Sequence, residues 1–182
     1  MLRTLDNFSS PSGSGFTVVE GPADNDGARI VFDRVMPPGK GQADPHLHLD
    51  CDQHYEIQSG SATVEVEGTQ RTLLAGERLD IARGTVHRDP YNASEAELRF
   101  RVKIEPCPPF IDAFGRALAE GYQTGELTDQ DELPVLKILV LTRAFNGESY
   151  RGGMPVGLQR AMLPLLAVVG RLRGYRPPEL GA

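Results

Sequence analysis

The sequence predicts a mainly β protein, an antiparallel sandwich or barrel of short strands followed by two or three α-helices. Between residues 16 and 106, short segments of alternating apolar and polar residues are separated by glycine-containing turns, without a helical period. After Pro106-Cys107-Pro108-Pro109 the spacing of the apolar residues becomes helical. We therefore divide the chain into a loose, small-residue N-terminal segment at 1–15, a β domain at 16–106 and a helical extension at 107–182.

Size, charge and cysteine content limit the possible functions. A chain of 182 residues, 40% hydrophobic and 24% charged, fits one globular domain with an appendage. The net charge of -6 argues against general nucleic-acid binding, which needs a basic surface. Two cysteines cannot form the disulfide framework of a small secreted protein, and the N-terminus lacks the apolar core of a signal peptide. We expect a cytoplasmic protein with neither nucleic-acid nor membrane partners.

The strand predictions follow the alternation of side chains. The segments before and after Gly60 have a clear period of two, which predicts a half-buried hairpin across that glycine. In chain order, the predicted strands centre on Phe16–Val19, Ala28–Met36, Tyr55–Gln58, Val64–Glu67, Arg78–Ile81 and Leu98–Ile104.

Three helices are predicted in the extension. The first carries an apolar stripe at Phe110, Phe114 and Leu118, with Gly121 as its stop. The second follows Pro134 and ends at Asn146-Gly147, and the third follows Pro155 and ends near Gly174.

Two of these helical segments are too hydrophobic to stand in water. Residues 133–145 and 158–172 must pack on the β domain, on a second subunit, or as a lid over a cavity. We expect a homodimer interface or a lid.

All four histidines lie between residues 46 and 87, which suggests a shared use of imidazole. His46 and His48 point to the same face of a strand because side chains alternate with period two. Gln53 has the parity of Tyr55 and Ile57 and should face the interior, whereas His54 should face outward. A strand and the turn at Arg83-Gly84 would bring His87 back over this region. The prediction is a metal site of three imidazoles and the Gln53 amide oxygen.

These residues resemble the two motifs of the cupin superfamily over about residues 28 to 105. Gly41, His46, His48, Gln53 and Gly60 occupy or approximate the first motif, and Gly76, Ala82-Arg83-Gly84, His87 and Asn92 the second. The resemblance implies a cupin-type β-barrel, the double-stranded β-helix or jelly-roll, with a bound metal. The extension is similar to that of uncharacterised bacterial single-domain cupins of the cupin-2 type.

The sequence departs from the cupin pattern at three positions. Gln53 stands where glutamate is usual, Ala82 where proline is usual, and Asn92 is one residue late. An alternative family spacing makes Asp52 the reserve ligand. Gln53 could also act from behind the ligands, by a hydrogen bond to a coordinating histidine. If Gln53 coordinates, the ligands are all neutral and the ion keeps its full charge, which favours an anionic substrate.

The ligand types narrow the metal and the chemistry. Imidazole-rich sites suit iron, zinc, nickel and copper, and manganese less well. Cupins of this arrangement include dioxygenases, isomerases and decarboxylases, together with proteins without catalysis. We expect one divalent transition metal ion and a metal-dependent enzyme for a small anionic organic molecule, with dioxygenation ahead of isomerisation. The alternatives are a non-catalytic binder or sensor and a metal-free, sugar-epimerase-like cupin with a histidine base and a tyrosine acid.

Three further residues are candidates for contact with the substrate near the mouth of the barrel. They are Tyr55, Arg83 and Tyr91.

Overall fold

The computed structural model describes residues 1–178, and over that range it contains eleven β-strands and three α-helices. Residues 179–182, the end of the predicted extension, lie outside the described residues. The helices are α1 (Pro109–Thr124), α2 (Val135–Ala144) and α3 (Val156–Leu172). The strands are β1 (Asn7–Ser9), β2 (Gly15–Glu20), β3 (Ile30–Met36), β4 (His46–His48), β5 (Asp52–Ser59), β6 (Ser61–Val66), β7 (Thr69–Leu74), β8 (Arg78–Ile81), β9 (His87–Tyr91), β10 (Leu98–Glu105) and β11 (Ser149–Arg151).

The strands form two antiparallel sheets, ordered β1-β2-β3-β10-β5-β8 and β11-β4-β9-β6-β7. Strands β3 to β10 pair in a nested way: β3 with β10, β4 with β9, β5 with β8, and β6 with β7. This is the pattern of a long hairpin folded over on itself, which is the jelly-roll topology. The predicted antiparallel jelly-roll with C-terminal helices is confirmed.

The predicted hairpin across Gly60 is wrong. β5 lies in the six-stranded sheet and β6 in the other, where β6 pairs with β7 and β9. Gly60 is the corner at which the chain changes sheets: its φ is +79°, and a Cβ there would lie 2.5 Å from the carbonyl oxygen of Glu97. Alternation predicts each strand but not its partner, because two strands joined by a short turn can pair or separate at a corner.

The N-terminal segment 1–15, expected to be loose, is packed against the rest of the molecule. β1 pairs with β2, and Phe8 lies on Phe16 with ring centroids 5.1 Å apart. Leu2 is buried, and its amide donates a hydrogen bond to Asp112 Oδ1 at 2.6 Å. The abundance of small residues suggested a loose segment, but two apolar side chains are enough to anchor it.

The helices begin near their predicted positions, but the first ends later. α1 continues past Gly121 to Thr124, and Gly125 takes the left-handed conformation that closes it. Gly121 is a packing position instead, because a Cβ there would overlap the side chain of Leu127.

The three helices have different surroundings. α1 and α2 each contribute residues to the lining of the cavity between the sheets. α3 packs on α2 at Gly170, where a Cβ would lie 2.6 Å from Val140. The outer face of α3 leaves Leu165 and Leu172 69% and 83% exposed. Within residues 1–178 no helix has the length and apolar character needed to cross a membrane.

Candidate metal centre

The two sheets, α1 and α2 surround a cavity of about 450 Å³. Its helical wall is apolar and consists of side chains that include Phe110, Ile111, Phe114, Leu118, Ile138 and Leu139. Its sheet wall carries a group of polar side chains, among them Arg34, His46, His48, Gln53, Tyr55 and Asp89. The cavity therefore has a water-poor, apolar side facing a polar side.

Strand pairing brings three of the four histidines together. His46 lies directly opposite His87 where β4 pairs with β9. The ring centroid of His46 lies 5.0 Å from that of His48 and 4.6 Å from that of His87. One nitrogen from each of these three rings can be chosen so that all three lie within 4.8 Å of one another. Metal–nitrogen bonds are about 2.0–2.1 Å long, so small side-chain rotations would suffice to place the nitrogens around one ion.

The backbone fixes the orientation of two of these rings. His46 Nδ1 lies 2.9 Å from the carbonyl oxygen of Asp44, and His87 Nδ1 lies 3.0 Å from that of Thr85. Both carbonyls can only accept, so Nδ1 carries the proton and Nε2 keeps its lone pair. Metal-binding histidines are commonly held by this kind of second hydrogen bond.

A buried nitrogen without a partner shows that these residues fit a metal ion. His48 Nδ1 is buried without a hydrogen-bond partner, and His87 Nε2 is buried with the Asp89 carboxylate, 3.5 Å away, as its neighbour. Leaving a buried polar atom unpaired costs free energy, and an ion would satisfy a nitrogen lone pair. Burial lowers the pKa of His48 to about 3, with further lowering by His46 and His87, so this ring is neutral and available at neutral pH.

Gln53 faces the cavity and is buried. Its Oε1 lies 3.1 Å from the hydroxyl oxygen of Tyr55, which also lines the cavity. The single proton of that hydroxyl is donated to Asp89 Oδ1, which at 2.5 Å is the shorter of the two contacts. Gln53, Tyr55 and Asp89 thus form one polar group beside the histidines.

Asp89 is a site residue that the sequence analysis missed. Its carboxylate oxygens lie 3.8 Å from His46 Nε2 and 3.5 Å from His87 Nε2. Burial alone would raise the pKa of Asp89, but His46, His87 and the Tyr55 hydroxyl together hold it below its usual value. Asp89 is therefore ionised.

This carboxylate changes the expected charge of the site. A neutral Gln53 would leave a bound divalent ion with its full charge, but Asp89 supplies one negative charge next to two of the three imidazoles. Burial lowers the pKa of His46 and would lower that of His87, but the Asp89 carboxylate raises the His87 value above the usual one. The attraction of the metal for an anion is weaker than the ligand set alone implies.

Asp52 and Arg83 lie away from the cavity. Asp52 precedes Gln53 on β5 and so points to the opposite face, where its carboxylate accepts hydrogen bonds from the backbone amide and guanidinium of Arg83. This contact lowers the pKa of Asp52 to about 2. Neither residue lines the cavity, so the expectations that Asp52 is a reserve ligand and that Arg83 contacts the substrate are corrected. Because side chains alternate along β5, Asp52 points away from the face that carries Gln53, and Arg83 is bound to it there.

Tyr91 also lies outside the lining of the cavity. On β6, Thr63 pairs with Tyr91 and Glu65 pairs with Arg88. The two partners are three residues apart on β9 but two apart on β6, so β9 contains one extra residue. This bulge changes the alternation, so that Tyr91 lies beside Arg88, whose guanidinium carbon is 6.0 Å from the centroid of the tyrosine ring. The bulge adjoins Pro90, whose lack of an N–H suits an interrupted ladder.

His54 is the one histidine outside the cluster. Its Nδ1 lies 2.6 Å from Asp80 Oδ1 and its Nε2 lies 3.1 Å from Glu105 Oε1, both on the outer face of the six-stranded sheet. Its placement agrees with the outward parity predicted from the sequence.

No protein-family model and no curated protein matches this sequence. Solved structures match at low similarity. A protein assigned as a sugar phosphate isomerase, from Acidithiobacillus ferrooxidans, is 19% identical with a TM-score of 0.46; the match covers 52% of this chain and 60% of that one, less than two thirds of its length. A cupin-superfamily sugar phosphate isomerase from Silicibacter pomeroyi is 16% identical, over 58% and 71% of the two chains, with a TM-score of 0.46. KdgF from Halomonas sp. is 21% identical, over 56% and 86%, with a TM-score of 0.47.

The chain has a jelly-roll fold, which its own nested strand pairing establishes. The two histidine motifs that resemble those of cupins fall on the strands that this pairing brings together. The activities in the names of these similar structures are stated of those proteins only.

The Asp89 carboxylate should control the protonation of His87. In metal-free protein, Asp89→Asn removes the negative charge 3.5 Å from His87 Nε2, so the pKa of His87 should fall. Histidine ring resonances followed by NMR against pH would measure it. Asp80→Asn, which alters the partner of His54 instead, is the matched control and should leave His87 unchanged. An unaltered His87 pKa in Asp89→Asn would contradict the assignment.

Proposed function

We propose that this protein is a metal-binding cupin that holds one divalent transition metal ion on His46, His48 and His87. The observation that carries the proposal is the convergence of three imidazoles on one point. Two of the rings, those of His46 and His87, are held by backbone carbonyls, and His48 has a buried nitrogen without a hydrogen-bond partner. Gln53 and Asp89, whose oxygen atoms lie beside Tyr55 and the histidines, would be the candidates to complete the ligand set. The imidazoles favour iron, zinc, nickel or copper over manganese.

The protein is further proposed to be an enzyme for a small organic molecule, a dioxygenase ahead of an isomerase. A bound ion would polarise a substrate oxygen or, if redox-active, activate dioxygen. The apolar walls from α1 and α2 would exclude water from the reacting end.

The side chains beside the histidines would handle protons. Burial, reinforced by Asp89, raises the pKa of Tyr55 well above its usual value, so Tyr55 stays protonated and can donate to a substrate oxygen. Asp89 is ionised and accepts the hydrogen bond of the Tyr55 hydroxyl, so it would hold and orient that donor.

Two other functions remain as alternatives. The large apolar share of the cavity wall favours a non-catalytic binder or sensor, since such a cavity can hold a ligand without chemistry. The approach of Tyr55 to Asp89 and the histidines also allows a metal-free, epimerase-like reaction with a histidine base and a tyrosine acid. A homodimer in which the exposed face of α3 is covered, and a cytoplasmic location, stay predictions.

Removal of one ligand should abolish metal binding. Untagged wild-type protein reconstituted with iron or zinc should hold about one equivalent, and His87→Ala less than about one-tenth. His54→Ala is the matched control, because His54 lies on the outer face, and it should keep the wild-type content. Elemental analysis after gel filtration measures both. Equal metal content in the two variants would remove His87 from the site.

Oxygen consumption separates the catalytic proposal from the binder. The iron-loaded protein should consume dioxygen with at least one member of a panel of enols, thiols and catechols, and His87→Ala should not. An oxygen electrode with product analysis by mass spectrometry gives the readout. Absence of oxygen uptake across the panel, in protein shown to contain iron, would contradict dioxygenation and favour the isomerase or the binder.

A further inference from the structure

Arg34 is a buried cation on the inner face of the six-stranded sheet. It follows Ile30 and Phe32 on the face of β3 that lines the cavity, and only 8% of its surface is exposed. A charge in such a place is costly unless it is paired and hydrogen-bonded. None of the metal-site residues described above provides that pairing by direct contact.

The hydrogen-bonding capacity of Arg34 is only partly used by the protein. Its Nε is buried and has no hydrogen-bond partner. The nearest carboxylate is that of Glu132, whose Oε1 lies 3.5 Å from Arg34 Nη2, at the long limit of a hydrogen bond. A guanidinium can form two parallel hydrogen bonds with one carboxylate, and Glu132 does not do so here.

Glu132 can give up its ion pair with Arg34 by taking up a proton. Burial raises the pKa of Glu132 to about 7; Arg34 opposes this shift, and Asp89 reinforces it. A second carboxylate on Arg34 would favour the protonated form of Glu132 further, since two like charges cannot share the site at low cost.

The wall between Arg34 and the metal site is apolar. Tyr55 pairs with Val102 on β10, which pairs with Phe32 on β3, and Arg34 lies two residues further along β3. With strands about 4.8 Å apart and a rise of about 3.4 Å per residue, the Cα atoms of Arg34 and Tyr55 are about 12 Å apart. Phe32 and Phe100 line this span on the sheet side, and Phe110 and Phe114 lie among the lining residues of α1.

We propose that the cavity binds an amphipathic carboxylic acid, with its carboxylate on Arg34 and its apolar body along the aromatic wall toward the histidines. The placement of the reacting end rests on the proposed metal site, but the carboxylate contact does not. The apolar lining between the two positions favours an acid with an apolar body over a short polar acid. The anionic character expected of the ligand is thereby assigned to Arg34 and not to the metal.

Binding of the acid should be coupled to proton uptake by Glu132. The charged and titratable groups that act on Glu132 are Arg34 on β3, Tyr122 on α1, Asp89 on β9 and Asp131 on its own segment. Asp131 is held by the hydroxyls of Ser12 and Ser14 and by Lys40. Affinity for the acid should therefore rise as the pH falls from 8.5 to 6.5, and Glu132→Gln should flatten this dependence.

Calorimetric titration with decanoate tests the proposal, with 1-decanol as the neutral probe of the same apolar body. Arg34→Met should weaken decanoate binding roughly 10- to 100-fold and leave decanol binding unchanged, since the lost contacts are those of a charged hydrogen bond. Arg101→Met is the matched control, because Arg101 lies on the neighbouring strand and pairs with Asp33 on the outer face. It should bind both probes as the wild type does.

If Arg34→Met fails to fold, the double variant Arg34→Met/Glu132→Gln replaces it. In the double variant the Glu132 carboxylate, which would have lost its partner, is also removed. The proposal would be overturned if the wild type did not bind decanoate. It would also be overturned if the wild type and the Arg34 variants bound decanoate equally. Wild-type protein stripped of metal by a chelator separates this failure from that of the metal site. It should still bind decanoate with the affinity of the metal-loaded protein.

Discussion

The polar side of this cavity depends on one partly buried carboxylate. Asp89 lies between two imidazoles and the Tyr55 hydroxyl, where partial burial makes an isolated negative charge unfavourable. The contacts are mutual: the histidines and Tyr55 keep Asp89 ionised, and Asp89 raises the pKa of both His87 and Tyr55. Through Tyr55 the same group reaches the amide of Gln53, so the two sheets are linked across the cavity by side chains that also surround the candidate metal position.

The jelly-roll pairing explains why these residues meet. β4 and β9 are neighbours because the chain folds as a long hairpin, and this sets His46 opposite His87 although they are 41 positions apart. β5 belongs to the other sheet and brings Gln53 and Tyr55 from across the sandwich. The same inner face continues through β10 to β3, where Arg34 forms a second polar position. A single cavity thus contains a histidine cluster and a separate cation, with aromatic side chains between them.

Much of this could be predicted from the sequence. Period-two alternation correctly gave the common face of His46 and His48, the inward position of Gln53 and the outward position of His54. It failed where the ladder is irregular: the bulge in β9 turned Tyr91 away, and the corner at Gly60 separated two strands that were expected to pair.

The charged residues of the cavity were harder to predict. Asp89 follows His87 by two positions on β9, and Arg34 shares the parity of Ile30 and Phe32, so a search for ionisable residues on inward positions would have found both. Glu132 lies in a polar connection between α1 and α2 with no periodicity, and only the packing of that connection over the sandwich brings it, partly buried, beside Arg34.

X-ray absorption spectroscopy of the untagged protein with one equivalent of zinc would identify the ligands of the ion and not just the amount of metal. Three imidazoles are expected at about 2.0–2.1 Å, with the remaining positions taken by oxygen. A coordination sphere with fewer than three imidazoles, or one containing a cysteine sulfur, would contradict the proposed metal site.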